Sequence, residues 1–213
     1  MHMTLRCSQR SLTALPILLA VCAAAGAAAL AGKDLTAALQ RGGYVILMRH
    51  ASSPATPPDP AQADPDNLHH ERQLDEVGRT SARAMGDALQ RLRIPIGEVL
   101  SSPTYRALET ARLAGLGPAQ PDAQLGDAGH SMTADPSGSR GAWLRGRVAR
   151  APKAGTNTLI ITHAPNIREA FPSEGADLAD GEALIFRPDG RGGASLVARV
   201  KIQDWPRLAA ASP

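Results

Sequence analysis

Arg49, His50, Arg106 and His163 are the residues whose types and positions could do chemistry in this 213-residue chain. Arg49 and His50 close the apolar run Tyr44-Val45-Ile46-Leu47-Met48. His163 closes a second run, Thr158-Leu159-Ile160-Ile161-Thr162, and Arg106 follows shortly after a third segment, Glu98-Val99-Leu100-Ser101. A guanidinium is a planar fork of donors that binds phosphate oxygens two at a time through charge-assisted bonds. Neighbouring guanidiniums disfavour protonation of an imidazole, so a ring nitrogen stays available at neutral pH. Two arginines and two imidazoles around one point would hold a tetrahedral dianion. One imidazole could then attack the phosphoryl group, splitting one hard displacement into two easier ones through a phosphohistidine. Taken singly, each residue also has a plainer role. Arg49 would be a solvated cation at a strand end, Arg106 a surface partner of Glu109 or Glu76, and His163 a residue at the start of a helix before Pro165.

The elements that must bring these residues together are readable from pattern. The three apolar segments read as buried parallel strands. In open α/β sheets, ligands bind outside the carboxyl ends of the strands. Right-handed crossovers place those ends on one edge, which would gather His50, Ser102 and His163. A helix is expected over Lys33–Arg41, stopped by Gly42-Gly43. A longer one over Gln73–Leu92 should bury Val77, Met85, Leu89 and Leu92, with Gly78 and Gly86 marking close packing on the sheet. Ser102-Pro103 reads as N-cap and first residue of a helix running to Ala114. Residues 115–129 read as loop. Ser137–Arg150 should form a helix with Trp143, Leu144 and Val148 inward, and Pro165 should start another. Ala183–Phe186 and Ala194–Val200, joined by a turn over residues 188–193, should pair antiparallel. The stretch Ser52–Asn67 contains Pro54, Pro57, Pro58, Pro60 and Pro65, which exclude it from a helix or central strand. It is long for a connection and leaves the first strand at the edge where it could wall a site. The expected fold is a three-layer α/β sandwich, with a mainly parallel central sheet and an antiparallel edge hairpin.

Residues 1–31 have the pattern of a secretory signal peptide: Arg6 and Arg10, then an apolar run from Leu12 to Leu30, then Ala29-Leu30-Ala31 before Gly32. The alternative is an uncleaved membrane anchor. The expectation is an exported, periplasmic protein with no membrane span after cleavage and a single domain over residues 32–213. Cys7 and Cys22 both fall in the leader, so the mature chain would have no disulfide and no thiolate nucleophile or metal site. His69-His70 lacks a nearby carboxylate triad, and neither metal nor other cofactor is expected. Without Arg6 and Arg10 the formal charge falls from +3 to +1. With no basic run interleaved with aromatics, nucleic acid is not an expected partner.

Leu47-Met48-Arg49-His50-Ala51 resembles the Arg-His signature of the histidine phosphatase superfamily, the phosphoglycerate-mutase-like fold. Arg72-Gln73-Leu74-Asp75-Glu76-Val77-Gly78 resembles its R-x-L-x-x-x-G segment. Ser101-Ser102-Pro103-Thr104-Tyr105-Arg106-Ala107-Leu108-Glu109-Thr110-Ala111 resembles its SSP-x-x-R-x-x-x-T-A helix start, and Ile160-Ile161-Thr162-His163-Ala164-Pro165-Asn166 its second-histidine motif. Four motifs in order cover most of residues 44–167. The resemblance implies His50 as the phosphorylated nucleophile, and Arg49, Arg106 and His163 as the phosphate pocket. It also implies an acidic residue that protonates the leaving group and later activates water. Asp127, in Leu125-Gly126-Asp127, is the first candidate for that acid, with Glu182 and His130 as rivals. The family includes phosphomonoesterases, mutases and catalytically weakened members. A short, exported chain without the long inserts of the glycolytic mutases points to an extracytoplasmic phosphorylated sugar or other small phosphomonoester as substrate. A phospholigand-binding member without an effective acid is the alternative, and a mutase a weaker one.

Overall fold

A computed structural model describes residues 29–127 and 138–211. Most of the expected leader, and the acid candidate His130, lie outside the described residues. Strands β1 (Val45–Arg49), β2 (Ile96–Ser101), β3 (Ala119–Pro121) and β4 (Asn157–Thr162) are parallel. β5 (Ala183–Pro188) runs antiparallel to β1, and β6 (Ala194–Val200) antiparallel to β5. The sheet order is β3-β2-β4-β1-β5-β6.

Helices cover both faces, as a buried parallel sheet requires. α1 (Gly32–Arg41), α2 (Glu76–Arg91), α3 (Tyr105–Ala114) and α6 (Asp204–Ala210) pack on one face. α4 (Ser139–Val148) and α5 (Ala164–Ala170) pack on the other. β1 feeds both layers through the two-residue alternation of a strand, Ile46 and Met48 toward the first and Val45 and Leu47 toward the second. The expected three-layer α/β architecture with its antiparallel edge hairpin is the one found.

Several local expectations are corrected. α2 begins at Glu76 rather than Gln73, because Asp75 Oδ1 caps it by accepting from the Gly78 N–H at 2.7 Å. Val77 is 70% exposed, not buried. Met85, Leu89 and Leu92 are buried as expected, and the place of Val77 is taken by a ridge of small residues, Gly78, Ala82 and Gly86, spaced one turn apart. A Cβ on Gly78 would overlap the Ser52 carbonyl oxygen, and one on Gly86 that of Ala114, so the close approach is to a loop and to α3, not to the sheet. α3 starts at Tyr105 with Thr104 as N-cap, not at Ser102-Pro103. The Ser102 side chain is turned toward His163, and the Glu71 carboxylate accepts the Tyr105 N–H at 3.1 Å instead. The stretch expected as loop contains β3, a short and largely exposed edge strand with no apolar alternation to reveal it. α6 gave no expectation and is anchored by the fully buried Trp205. No helix among the described residues is long and apolar enough to cross a membrane.

Candidate active site

β1 and β4 are neighbours, yet β1 leads to α2 on one face and β4 to α5 on the other. Such a change of side opens a crevice at the carboxyl ends of the two strands. The ladder continues one residue beyond the strands. The His50 N–H donates to Thr162 O at 2.9 Å, and the Ser102 N–H to Ile161 O at 2.9 Å. His50, Ser102 and His163 are therefore fixed side by side by backbone hydrogen bonds, on the edge where topology placed them.

His50 is 3% exposed. Its Nδ1 lies 2.8 Å from Ala51 O. A carbonyl can only accept, so Nδ1 carries the proton and Nε2 holds the lone pair. Arg106 Nε donates to that lone pair at 3.3 Å. Burial, then the charges of Arg106, Arg49 and Arg72, push the His50 pKa down to about 3, against the raising effect of the Ala51 carbonyl. His163 is 2% exposed and has the matching arrangement. Its Nδ1 accepts from Arg106 Nη2 at 3.2 Å, and its Nε2–H donates to Ser102 Oγ at 2.8 Å. Burial, His50 and Arg106 hold its pKa well below the ordinary histidine value. The two neutral rings meet edge to face, centroids 5.2 Å apart.

Arg106 is 1% exposed and also donates Nη2 to Asp127 Oδ2 at 3.0 Å. Arg49 pairs with Asp180 at 2.6 Å and donates to Leu178 O at 3.2 Å. A third guanidinium, Arg72, reaches the same cleft from the segment between the proline-rich loop and α2, and it donates to that loop at Pro54 O, 2.6 Å, and Ser53 O, 3.2 Å. The cleft, of about 80 Å³, is lined by Arg49, His50, Arg72, Arg106, Asp127, His163, Ala164 and Pro165. A larger cavity of about 560 Å³ lies between that loop and the start of α2 and shares no residue with it. Two of its carboxylates are already engaged, Asp75 by Ser52 and Gly78, Glu76 by Arg79 and Thr80, and its one cation, Arg79, is held by Glu76 and the Leu74 carbonyl. The chemistry belongs to the smaller cleft: three cations can bind a tetrahedral anion against the His50 lone pair, while His163, its one N–H given to Ser102, holds Arg106 rather than the anion.

The structure thus brings together Arg49, His50, Arg106, His163 and Asp127. Glu182 stands outside the cleft lining, its carboxylate accepting from Arg199 Nε at 2.8 Å and from the Ala179 N–H at 3.0 Å. Arg72 was quoted in the sequence only as part of a motif. Its signal was there: a cation ending a loop that must return to the strand-end edge to begin α2.

Residues 45–130 match the family described as the histidine phosphatase superfamily (branch 1). No curated protein sequence matches the chain. Among solved structures, the chain is similar to the protein histidine phosphatase SixA complexed with tungstate, at 20% identity and a TM-score of 0.53, covering 76% of this chain and 98% of that one. A phosphoserine phosphatase variant from Entamoeba histolytica in complex with phosphoserine is similar at 14% identity and a TM-score of 0.51, covering 75% and 98%. The ecdysone phosphate phosphatase from Bombix mori in complex with tungstate gives 13% identity and a TM-score of 0.50, covering 73% and 92%. At these identities the likeness is one of fold.

Proposed function

The chain carries a domain of the histidine phosphatase superfamily, and from that premise we propose that it is a metal-independent phosphomonoester hydrolase acting through a phosphohistidine on His50. One observation carries the reading. The Ala51 carbonyl locks His50 in the tautomer whose Nε2 lone pair faces the guanidinium-lined cleft. The incoming dianion takes the donors of Arg49, Arg72 and Arg106. Arg106 Nε thereby leaves the His50 lone pair, which attacks phosphorus in line as the ester P–O bond breaks. Asp127, which takes up a proton as the phosphate displaces it from Arg106, passes that proton to the departing oxygen, and the alcohol leaves. Water then attacks the phosphohistidine, Asp127 takes its proton, the P–N bond breaks, and inorganic phosphate departs. His163, neutral and held by Ser102, donates or accepts nothing net and keeps Arg106 in place. The guanidiniums supply the charge stabilisation that phosphoryl transfer needs, so no step calls on a metal.

The substrate we propose is a small extracytoplasmic phosphomonoester, such as a phosphorylated sugar. Two things support this: the leader-like residues 1–31, and a cleft whose lining addresses the phosphoryl group rather than the organic part. A second reading, a phospholigand-binding protein without turnover, draws on the engagement of the Asp127 carboxylate by Arg106. The test is phosphate release from 4-nitrophenyl phosphate in EDTA by the purified protein and by His50→Ala. Turnover by the wild type alone supports the hydrolase. Phosphate binding by calorimetry without turnover by either protein supports the binding reading. Activity in His50→Ala would overturn the mechanism, and recovery of the protein from the cytosolic fraction would overturn the location.

A further inference from the structure

We infer that Asn166 is a positioning residue for the proposed acid, Asp127. The inference rests on the reading of Asp127 as the group that exchanges a proton with the leaving oxygen. Asp127 follows a 3-10 turn over Ala123–Leu125, which has little regular structure of its own to hold it. What holds it is the start of α5, three residues beyond His163. Thr162 Oγ1 donates to Leu125 O at 2.8 Å. Asn166 Nδ2 donates to the next carbonyl, Gly126 O, and to Thr162 Oγ1 at 3.1 Å. The direction of these bonds is forced. The Thr162 hydroxyl has spent its proton on Leu125, and Gly126 O is a carbonyl, so both partners of Asn166 can only accept. The amide nitrogen must face them.

Successive carbonyls of one turn are thus clamped by two fully buried side chains that flank His163 in sequence. The same two turns of chain therefore set the second imidazole and the carboxylate around Arg106. Asn166 Oδ1 is buried with no hydrogen-bond partner among the described residues. A residue serving packing alone would avoid that uncompensated acceptor, since an apolar side chain of the same size leaves none. The amide is there for its donors. Asn166 is not itself among the residues lining the cleft, so it acts through Gly126 and Asp127 rather than on substrate.

The consequence is selective. The kcat/KM value reports phosphoryl transfer to His50, where the leaving oxygen departs. An aryl phosphate with an acidic phenol departs with little help, whereas an alkyl phosphate needs the acid. Asn166→Leu keeps the branching at Cγ, adds some volume and deletes the donors. Thr162→Val deletes the donor of the other half of the clamp and serves if Asn166→Leu unfolds. Both are to be assayed with 4-nitrophenyl phosphate and glycerol phosphate beside Asp127→Asn, with thermal unfolding confirming the folded state. The expected result is a loss of kcat/KM at least about tenfold larger on the alkyl than on the aryl ester, in the clamp variants as in Asp127→Asn. Equal losses on both esters in the clamp variants, with Asp127→Asn still selective, would overturn the role of Asn166 alone. A non-selective Asp127→Asn would overturn the assignment of the acid, and the positioning role with it.

Discussion

The two buried neutral histidines make stability depend on pH in a sense opposite to that of a salt-bridged histidine. An unfolded chain takes up a proton on His50 near pH 6.5, whereas in the folded protein burial and three guanidiniums delay that to about 3. The His50 contribution is therefore fully present above pH 6.5 and is lost as the pH falls from 6.5 toward 3, because only the unfolded state gains the proton. At about 1.4 kcal/mol per pH unit below the unfolded value, His50 alone should cost about 2 kcal/mol between pH 7 and pH 5. His163, also held well below its ordinary value, adds to this in the same direction.

Other groups titrate as well, so the informative quantity is a difference. His50→Asn removes the titrating ring and leaves the rest. Urea unfolding of both proteins at pH 7, 6 and 5 should show the variant losing about 2 kcal/mol less than the wild type across that range. The same neutral ring should let kcat/KM, corrected for substrate ionisation, persist well below pH 6.5. Unfolding free energies that fall in parallel for the two proteins, with an acid limb of activity at pH 6.5, would refute the claim that His50 is buried in its neutral form.

Arg106→Ala should lower kcat/KM by at least about 100-fold, the scale of losing one preorganised donor, and destabilise the fold by about 3–5 kcal/mol because Asp127 is left buried without its cation; normal kinetics beside lost stability would make Arg106 structural only. Arg72→Ala should behave differently, since its guanidinium is partly exposed and held by two loop carbonyls. KM and the inhibition constant for inorganic phosphate should rise by about 10- to 100-fold, while urea unfolding changes by less than about 1 kcal/mol. Gly86→Ala drives a methyl into the Ala114 carbonyl at the α2–α3 crossing and should cost about 1–3 kcal/mol in thermal or urea unfolding, leaving kcat/KM of the folded protein unchanged.

The strand-end residues were legible because chemistry and pattern coincide there. An Arg-His pair after five apolar residues, and a His after another buried run, are set at one edge by chain topology before any side chain is considered. What failed to show was of two kinds. Val77 was misplaced because periodicity weights large apolar residues, whereas α2 makes its close contacts through Gly78, Ala82 and Gly86, whose small size is the point. Arg72, Asp180 and Asn166 were missed because loops and short turns put them in place. Nothing in spacing says that Asp180 will meet Arg49, or that an amide three residues beyond His163 will reach back to Gly126. β3 and α6 carry too little periodic burial to announce themselves.

The arrangement of charge also decides which anions the cleft should accept. Arg49 and Arg106 are each answered by a carboxylate, Asp180 and Asp127, so a phosphate must exchange for these partners rather than simply join three cations. The Arg49–Asp180 pair is partly exposed, is screened, and contributes no more than about 1 kcal/mol, so it yields readily. The Arg106–Asp127 pair is buried, and separating it leaves two desolvated charges unless the ligand supplies acceptors in their place. Arg106 is bonded at the same time to the lone pairs of His50 and His163. A tetrahedral dianion can replace the carboxylate oxygen and draw Nε off His50 in one movement. A monoanion such as acetate has too few oxygens and too little charge to do both. Phosphate and tungstate should therefore inhibit competitively where equal concentrations of acetate do not, and equal inhibition by all three would show that the cleft responds to net charge and not to the exchange at Arg106.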